Sequence, residues 1–324
     1  MPLLRVDATA EGPCLHGGGD LDGALRAALW RLPPGAPVVV LVHGFRFSPD
    51  AARFSPHDHI FALTPRRGCR RAVSWPRHLG FGHGQADEGL CIAFGWPARG
   101  SIWSAWHSAE TAGRALADLV ARIAGLRPGP VDMVTHSLGA RVGLAALARA
   151  PGGSVGRMVL MAAAEFGTAA AAAMGSVAGR RAEVINITTR ENDLFDAAVE
   201  RLIRPPVAGD RVLGGGMDLP GWLDVQIDGA ATRRALDRMG FRVPAPRRRI
   251  CHWSGYLRPG LFGFYGAVLR EREVLTLDVL RRTLPPENHP RWDRLLPPLP
   301  GIPRKKSGRI IDNDPAPPPA GRAA

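Results

Sequence analysis

The 324-residue sequence predicts an α/β protein with a mainly parallel, doubly wound sheet and flanking helices. Short apolar runs alternate with segments whose apolar residues recur every three or four positions, which is the pattern of strands alternating with helices. The runs are continuously apolar, as in V-V-V-L-V at residues 38–42. Continuous runs are typical of parallel strands that are buried on both faces. The sequence contains no internal repeat.

The two patterns place the elements along the chain. Apolar runs predict strands at residues 3–9, 38–43, 90–96, 131–135, 157–162 and 182–188. Helical periodicity predicts helices at residues 21–32, 101–123, 138–149, 165–174 and 268–282. Gly and Pro residues follow several of these segments and would end them. Residues 204–250 follow neither pattern, and we expect them to form loops.

We expect one domain over residues 1–296 and a disordered, Pro-rich basic tail over residues 297–324. The domain contains a long insertion at about residues 44–89, between two predicted strands. Long loops in compact domains often cover functional sites. We therefore expect the aromatic residues of this insertion to line a pocket, the alternative being that they anchor the loop to the core. These residues are Phe45, Phe47, Phe54, Phe61, Trp75 and Phe81.

The composition excludes several classes of protein. Hydrophobic residues make up 45% of the chain, but no apolar run is long enough to cross a membrane, which takes about 18 residues or more. The N-terminus lacks the basic start and apolar stretch of a signal peptide. The four cysteines form no C-x-x-C motif. These features predict a cytoplasmic protein with reduced thiols and no integral membrane segment.

The net charge of +13 raises the question of an anionic partner. The only lysines are Lys305 and Lys306, and arginine is abundant together with Ala, Gly and Pro. This composition is typical of a GC-rich coding bias, and no aromatic-interleaved basic motif accompanies it. We expect no nucleic-acid partner. The spacing of the histidines in H-D-H at residues 57–59 matches no standard zinc pattern, so we also expect no metal.

The stretch T-H-S-L-G at residues 135–139 carries the first chemical signal. It follows the predicted strand 131–135 directly and precedes a predicted helix. A serine on a tight strand–turn–helix connection is held clear of the backbone, as a nucleophile requires. The turn favours small residues two positions before and after Ser137. Gly139 is small, whereas Thr135 is larger than the glycine usually found there and would strain the turn. The alternative is that Ser137 only caps the helix.

Three further segments follow predicted strands or come late in the chain. H-G-F at residues 43–45 follows the strand 38–42, and T-T-R-E-N-D-L-F-D at residues 188–196 follows the strand 182–188. C-H-W-S-G-Y at residues 251–256 begins an aromatic-rich segment. The carboxyl ends of parallel strands lie at one edge of a sheet, where sites form. His43 and Asp193 could also have structural roles, in a buried turn and as a helix cap respectively.

With these residues in chain order, the sequence resembles the α/β-hydrolase superfamily of serine esterases and lipases over residues 36–283. The resemblance depends on V-V-V-L-V-H-G-F, V-T-H-S-L-G-A, N-I-T-T-R-E-N-D and C-H-W-S-G-Y. It implies hydrolysis of a carboxylic ester or related acyl bond, with a small-molecule ester or acyl substrate and no cofactor. It does not indicate the acyl length or the oligomeric state.

The resemblance also implies roles for single residues. Ser137 would be the nucleophile, His252 the base and Asp193 the acid, with Glu191 and Asp196 as alternates for the acid. The backbone N–H groups of Phe45 and Leu138 would form the oxyanion hole. The supporting residues would be His43, Gly44, His136 and Gly139. Two other functions stay open: a non-catalytic binding protein of the same fold, and a basic protein that uses its tail to contact a membrane or nucleic acid.

Overall fold

The computed structural model describes residues 3–65 and 72–286, which form one eight-stranded sheet with flanking helices. The strand order is β2-β1-β4-β3-β5-β6-β7-β8, and every neighbouring pair is parallel except β1 and β2. The strands are β1 Leu3–Ala8, β2 Pro13–Leu15, β3 Val38–Val42, β4 Leu90–Gly95, β5 Val131–His136, β6 Val155–Met161, β7 Glu183–Thr188 and β8 Trp222–Gln226.

Helices connect the strands and cover both faces of the sheet. They are α1 Leu21–Trp30, α2 Trp75–His78, α3 Ile102–Leu126, α4 Gly139–Leu147, α5 Gly167–Gly175, α6 Asp193–Leu202, α7 Ala230–Arg238, α8 Ser254–Leu257, α9 Leu261–Arg270 and α10 Leu277–Thr283. This architecture confirms the predicted parallel α/β sheet and is compatible with an α/β-hydrolase fold.

The two faces of the sheet carry separate apolar cores. Val38, Val40 and Val42 pack with residues of α1, α3, α4 and α5. Val39 and Leu41 of the same strand pack with residues of α7, α9 and α10 on the other face. Successive side chains of a strand point to opposite faces, so a strand that is covered on both sides needs apolar residues throughout. This requirement explains the continuous apolar run in the sequence.

The structure differs from the sequence prediction in the last third of the chain. Residues 204–250, expected to be loops, include β8 and α7. β8 is an edge strand with Asp224 at its centre, so it lacks the apolar run by which central strands are found. The helix predicted over residues 268–282 is two helices, α9 and α10, separated by a turn at residues 271–276.

The insertion after β3 is tied to the core by some of its aromatic residues. Phe61, Trp75 and Phe81 are fully buried and pack in the core on the side of α9. These three side chains therefore anchor the insertion to the core, which was the alternative to lining a pocket. Residues 66–71 of the insertion and the whole tail over 297–324 lie outside the described residues. Among the described helices, none combines the length and apolarity needed to span a bilayer.

The close contact between α3 and α4 leads to a stability prediction. A Cβ atom on Gly113 would lie 2.5 Å from Ala145 Cβ and 3.1 Å from the Val142 carbonyl oxygen, both on α4. We expect Gly113→Ala to destabilise the protein by about 1–3 kcal/mol through overpacking. Gly125, on the same helix, has open space where its Cβ would be. Gly125→Ala should be neutral or stabilising by up to about 1 kcal/mol.

Urea unfolding of the two variants and the wild type measures both changes. Each variant replaces a glycine of α3 by alanine, so the effect of this replacement on helix propensity cancels when the two free energies of unfolding are compared. Equal free energies of unfolding for the two variants would contradict the packing of α3 against α4.

Candidate active site

Ser137 lies on a sharp turn at the carboxyl end of a central strand. β5 ends at His136, α4 begins at Gly139, and Ser137 between them has φ of 54°. A positive φ is uncommon for a residue with a side chain, and such strained residues cluster at functional sites. The turn is held because Ser137 N–H donates to the Met161 carbonyl, and the Ser137 carbonyl accepts from the Ala164 N–H.

Two glycines allow the turn after β3 to approach this turn closely. A Cβ on Gly139 would lie 2.5 Å from the His43 carbonyl oxygen, and one on Gly44 would lie 2.8 Å from Ser137 Cβ. These distances are shorter than real contacts, so neither position has room for a side chain. The H-G and S-L-G motifs therefore reflect one close contact between two backbone segments, because the glycines let them approach.

Thr135 is accommodated by a third glycine. Thr135 is fully buried, and on β5 it pairs with Val42 of β3 and Leu160 of β6. A Cβ on Gly143 of α4 would lie 3.2 Å from the Thr135 methyl carbon. Gly143 thus leaves room for the larger residue, which explains why the expected strain at Thr135 does not disturb the turn.

His252 faces Ser137 from a loop that lies 115 residues further along the chain. Its Nε2 is 2.8 Å from Ser137 Oγ, within hydrogen-bond distance. The loop is held by the buried ion pair between Arg258 and Glu191 and by the hydrogen bond from Cys251 N–H to the Glu191 carbonyl. Glu191, an alternate for the acid in the sequence prediction, instead anchors the segment that carries the histidine.

The group that contacts the other nitrogen of His252 is an amide. His252 Nδ1 lies 2.6 Å from Asn192 Oδ1, one residue before the predicted Asp193. Asn192 Nδ2 in turn donates to Asp196 Oδ1 at 2.9 Å. Since Asn192 Oδ1 can only accept, Nδ1 carries the proton and Nε2 is free to accept from Ser137. The Asn192 amide thus contacts the side of the imidazole opposite Ser137, and the role of Asp193 as the acid stays a prediction.

The two carboxylates near Asn192 have different positions. Asp193 is buried and begins α6, and Asp196 lies one turn later on the same helix. Burial, reinforced by the Asp193 charge, raises the pKa of Asp196 well above its usual range. Asp196 accepts from the Asn192 amide, and the oxygen of that amide contacts His252.

His136 supports the backbone of His252. Its Nε2 lies 2.9 Å from the His252 carbonyl oxygen, and the two rings are 4.7 Å apart. Burial lowers the pKa of His136 to about 4. A neutral His136 donates to this carbonyl without placing a positive charge beside His252. Phe195 stacks on the other side of the His252 ring at 4.5 Å.

Burial sets the pH range in which His252 can act as a base. Burial, followed by the charge that His136 would carry if protonated, lowers the pKa of His252 well below 6.5. A lowered pKa means that the neutral imidazole persists into more acidic solution. We expect the rate of any reaction that uses neutral His252 as its base to fall on the acid side with a midpoint below pH 6.5. A pH profile with its midpoint at or above 6.5 would contradict this environment for His252.

His43 is buried in the turn after β3 and does not face Ser137. Its Nε2 accepts from the Trp96 N–H, its Nδ1 lies 2.9 Å from the Gly44 carbonyl, and its carbonyl accepts from Trp96 Nε1–H. Burial lowers the pKa of His43 to about 3, which keeps it neutral. The residue fixes the turn that carries Gly44 and Phe45.

The backbone N–H groups of Phe45 and Leu138 are available to a ligand. Both residues border the same cavity as Ser137. Neither N–H donates to another described residue. Leu138 is buried, and a buried N–H that lacks a partner is rare because it costs free energy. The two donors lie beside Ser137, where the oxyanion of an acyl-transfer reaction would form.

The cavity that contains these groups has a volume of about 1010 Å³. Its apolar lining comes largely from the insertion, α3, α6 and the His252 loop. The Phe, Trp and Tyr residues of the lining are Phe45, Phe47, Phe54, Trp106, Phe195, Trp253 and Tyr256. The insertion thus contributes pocket-lining aromatics as well as anchoring ones. Arg46 and Arg53 provide basic groups at its border, and Arg99 stacks on Phe54 at 4.5 Å.

The chain has no match to known families. No protein-family model matches it. No curated protein matches it either. The function therefore has to be inferred from the geometry of the site.

Sequence reasoning missed two residues of this arrangement. Asn192 is adjacent to the expected acid, and chain order alone does not separate neighbouring polar residues in a turn. Arg258, the partner of Glu191, lies in the aromatic segment after His252. A single arginine in an otherwise apolar segment is a signal for a buried ion pair, because arginine is rarely buried without a partner.

Proposed function

We propose that the chain is a serine hydrolase of the α/β-hydrolase type, which cleaves a carboxylic ester or related acyl bond through an acyl-enzyme on Ser137. The observation that carries the proposal is the 2.8 Å contact between Ser137 Oγ and His252 Nε2, on a strand–turn–helix connection with positive φ. A nucleophile in contact with a base, which is oriented by a third group, is the diagnostic arrangement of covalent acyl transfer.

The proposed reaction has two halves. Ser137 Oγ attacks the carbonyl carbon while His252 Nε2 takes its proton, and the oxyanion accepts from the Phe45 and Leu138 N–H groups. His252 then gives the proton to the leaving alcohol, which departs and leaves the acyl group on Ser137. A water attacks the acyl-enzyme with His252 again as base, and the acid is released as Ser137 regains its proton.

The third member of this arrangement is an amide rather than a carboxylate. Asn192 would hold the imidazole in the tautomer with a free Nε2, as the asparagine of a Cys-His-Asn triad does. Asp196 would fix the amide so that its oxygen faces His252. An amide supplies orientation without a full negative charge, so it stabilises the imidazolium less than an aspartate would.

The apolar cavity supports a substrate with a hydrocarbon acyl or alcohol group. Each methylene that moves from water into such a pocket contributes about 0.8 kcal/mol. We therefore expect kcat/KM for p-nitrophenyl esters to rise from acetate to esters of intermediate chain length.

The test combines turnover of the ester series with labelling by a fluorophosphonate probe, in wild type and in Ser137→Ala. The proposal predicts turnover and stoichiometric labelling in wild type, and neither in the variant. Wild-type protein that is folded but shows neither would favour the alternative, a binding protein that retains the fold. Turnover that survives in Ser137→Ala would exclude Ser137 as the nucleophile.

A further inference from the structure

Three donor side chains meet at one edge of the sheet, outside the cavity of Ser137. The Asp7 carboxylate lies between two imidazoles, with Oδ2 2.7 Å from His16 Nδ1 and Oδ1 2.6 Å from His57 Nε2. The two rings are 4.2 Å apart. None of the three residues lines the cavity that contains Ser137. The proposed hydrolysis uses none of them.

The donors come from three segments of the chain. Asp7 lies near the end of β1, His16 follows β2, and His57 belongs to a 3-10 turn, Pro56–Asp58, in the insertion. His16 and His57 are 9 and 50 residues from Asp7 along the chain. Zinc motifs are recognised by ligands that are close in sequence. The pattern H-D-H at residues 57–59 contains only one member of this group, His57, so its spacing did not reveal the group. His59, its other histidine, borders the cavity instead.

The backbone of the neighbouring strand leaves room for the donors. A Cβ on Gly95, at the end of β4, would lie 2.7 Å from Asp7 Oδ1 and 2.8 Å from His57 Nε2. Any other residue at position 95 would displace this pair. The group is accessible from one side only, since the side chains of His57, Asp7 and His16 are 0%, 14% and 30% exposed. An ion could therefore enter past His16.

We propose that Asp7, His16 and His57 form a binding site for a divalent transition-metal ion, with zinc as the best fit. Two imidazoles and one carboxylate are donors that zinc accepts, and three such ligands leave a fourth position for water. In a tetrahedral site with bonds of about 2.0–2.1 Å, neighbouring ligand atoms lie about 3.3 Å apart. One donor atom from each of the three residues lies within 4.8 Å of the other two, so spacings would have to close by about 1.5 Å or less to hold the ion.

The position of the group assigns the ion a structural role. It would join the β1–β2 edge of the sheet to the turn Pro56–Asp58, and the adjacent residues Asp58, His59 and Ile60 border the cavity of Ser137. The ion would thus fix the part of the insertion that forms one wall of the cavity. Binding to the folded protein alone would also raise its Tm.

The test uses the purified full chain after dialysis against a chelator. Zinc is then titrated in competition with a chromophoric chelator, for wild type, His16→Gln and His107→Gln. His107 is an exposed histidine on α3, so its variant controls for adventitious binding by surface histidines. We expect one high-affinity zinc per chain in wild type and His107→Gln, an affinity at least about tenfold weaker in His16→Gln, and a zinc-dependent rise in Tm only in the first two.

Equal zinc affinity in the two variants, or no binding to the wild type, would show that the group is only a pair of histidine–aspartate hydrogen bonds. Circular dichroism checks that His16→Gln is folded. Should it fail to fold, Asp7→Asn replaces it, because this change removes the charge and keeps the shape of the side chain. The readouts are stoichiometry, affinity and Tm, so the outcome is independent of hydrolytic activity.

Discussion

Replacement of His252 by alanine is expected to lower kcat for ester hydrolysis by about 10⁴-fold or more. In the proposed reaction His252 Nε2, at 2.8 Å from Ser137 Oγ, would be the base that makes the serine a nucleophile at neutral pH. Without it, the hydroxyl keeps its proton, and the fluorophosphonate probe should label Ser137 far more slowly. Steady-state kinetics and the labelling rate of the purified variant measure the two effects separately.

Added imidazole distinguishes a chemical role of His252 from a structural one. Alanine leaves a space of the size of the ring beside Phe195, with which His252 is stacked. We expect free imidazole to restore part of the activity of His252→Ala and to have no effect on His107→Ala. Folded His252→Ala protein that retains more than about a tenth of the wild-type kcat would exclude His252 as the base.

The second large effect is expected at Asn192. Asn192→Ala removes the acceptor that lies 2.6 Å from His252 Nδ1. The imidazole would then lose its fixed tautomer and orientation, and we expect kcat to fall by about 10²-fold or more with a smaller change in KM. Asp193→Asn keeps the size of its side chain and should retain kcat within about tenfold of wild type. Steady-state kinetics of both variants provide the comparison.

A third variant separates orientation from charge at the same position. Asn192→Asp would place a carboxylate against Nδ1, and a nearby negative charge favours the imidazolium. The pKa of His252 should therefore rise, and the acid limb of the pH–rate profile should move to higher pH. The opposite pattern, in which Asp193→Asn loses activity and Asn192→Ala does not, would support Asp193 as the acid that the sequence predicts.

The central part of the fold could be predicted from the sequence because burial imposes a readable pattern. A strand covered on both faces is apolar except where a buried polar side chain has a partner. β3 is V-V-V-L-V throughout, whereas β5 and β7 include the buried, hydrogen-bonded Asp132 and Asn186. The edge strands β2 and β8 have a neighbouring strand on one side only and do not need a continuous apolar run. β2 has three residues and β8 carries Asp224 at its centre, so neither produced a signal.

The approximate location of the site was also accessible from the sequence. Ser137 and the turn of Gly44 follow β5 and β3, and parallel strands bring their carboxyl ends to one edge. The glycines at 44 and 139 are required locally, because each faces backbone at a distance too short for a Cβ. Such a requirement is visible in the sequence because only glycine satisfies it.

The sequence by itself determined the order of the central strands and helices along the chain and the turn that carries Ser137, because these depend on local periodicity and on backbone space. Only the tertiary structure decided that Asn192 contacts His252, that Glu191 pairs with Arg258, and that Asp7, His16 and His57 meet. Each of these contacts joins residues that are distant in sequence, and its partner is selected by side-chain direction over distances of about 3 Å, which no spacing rule contains.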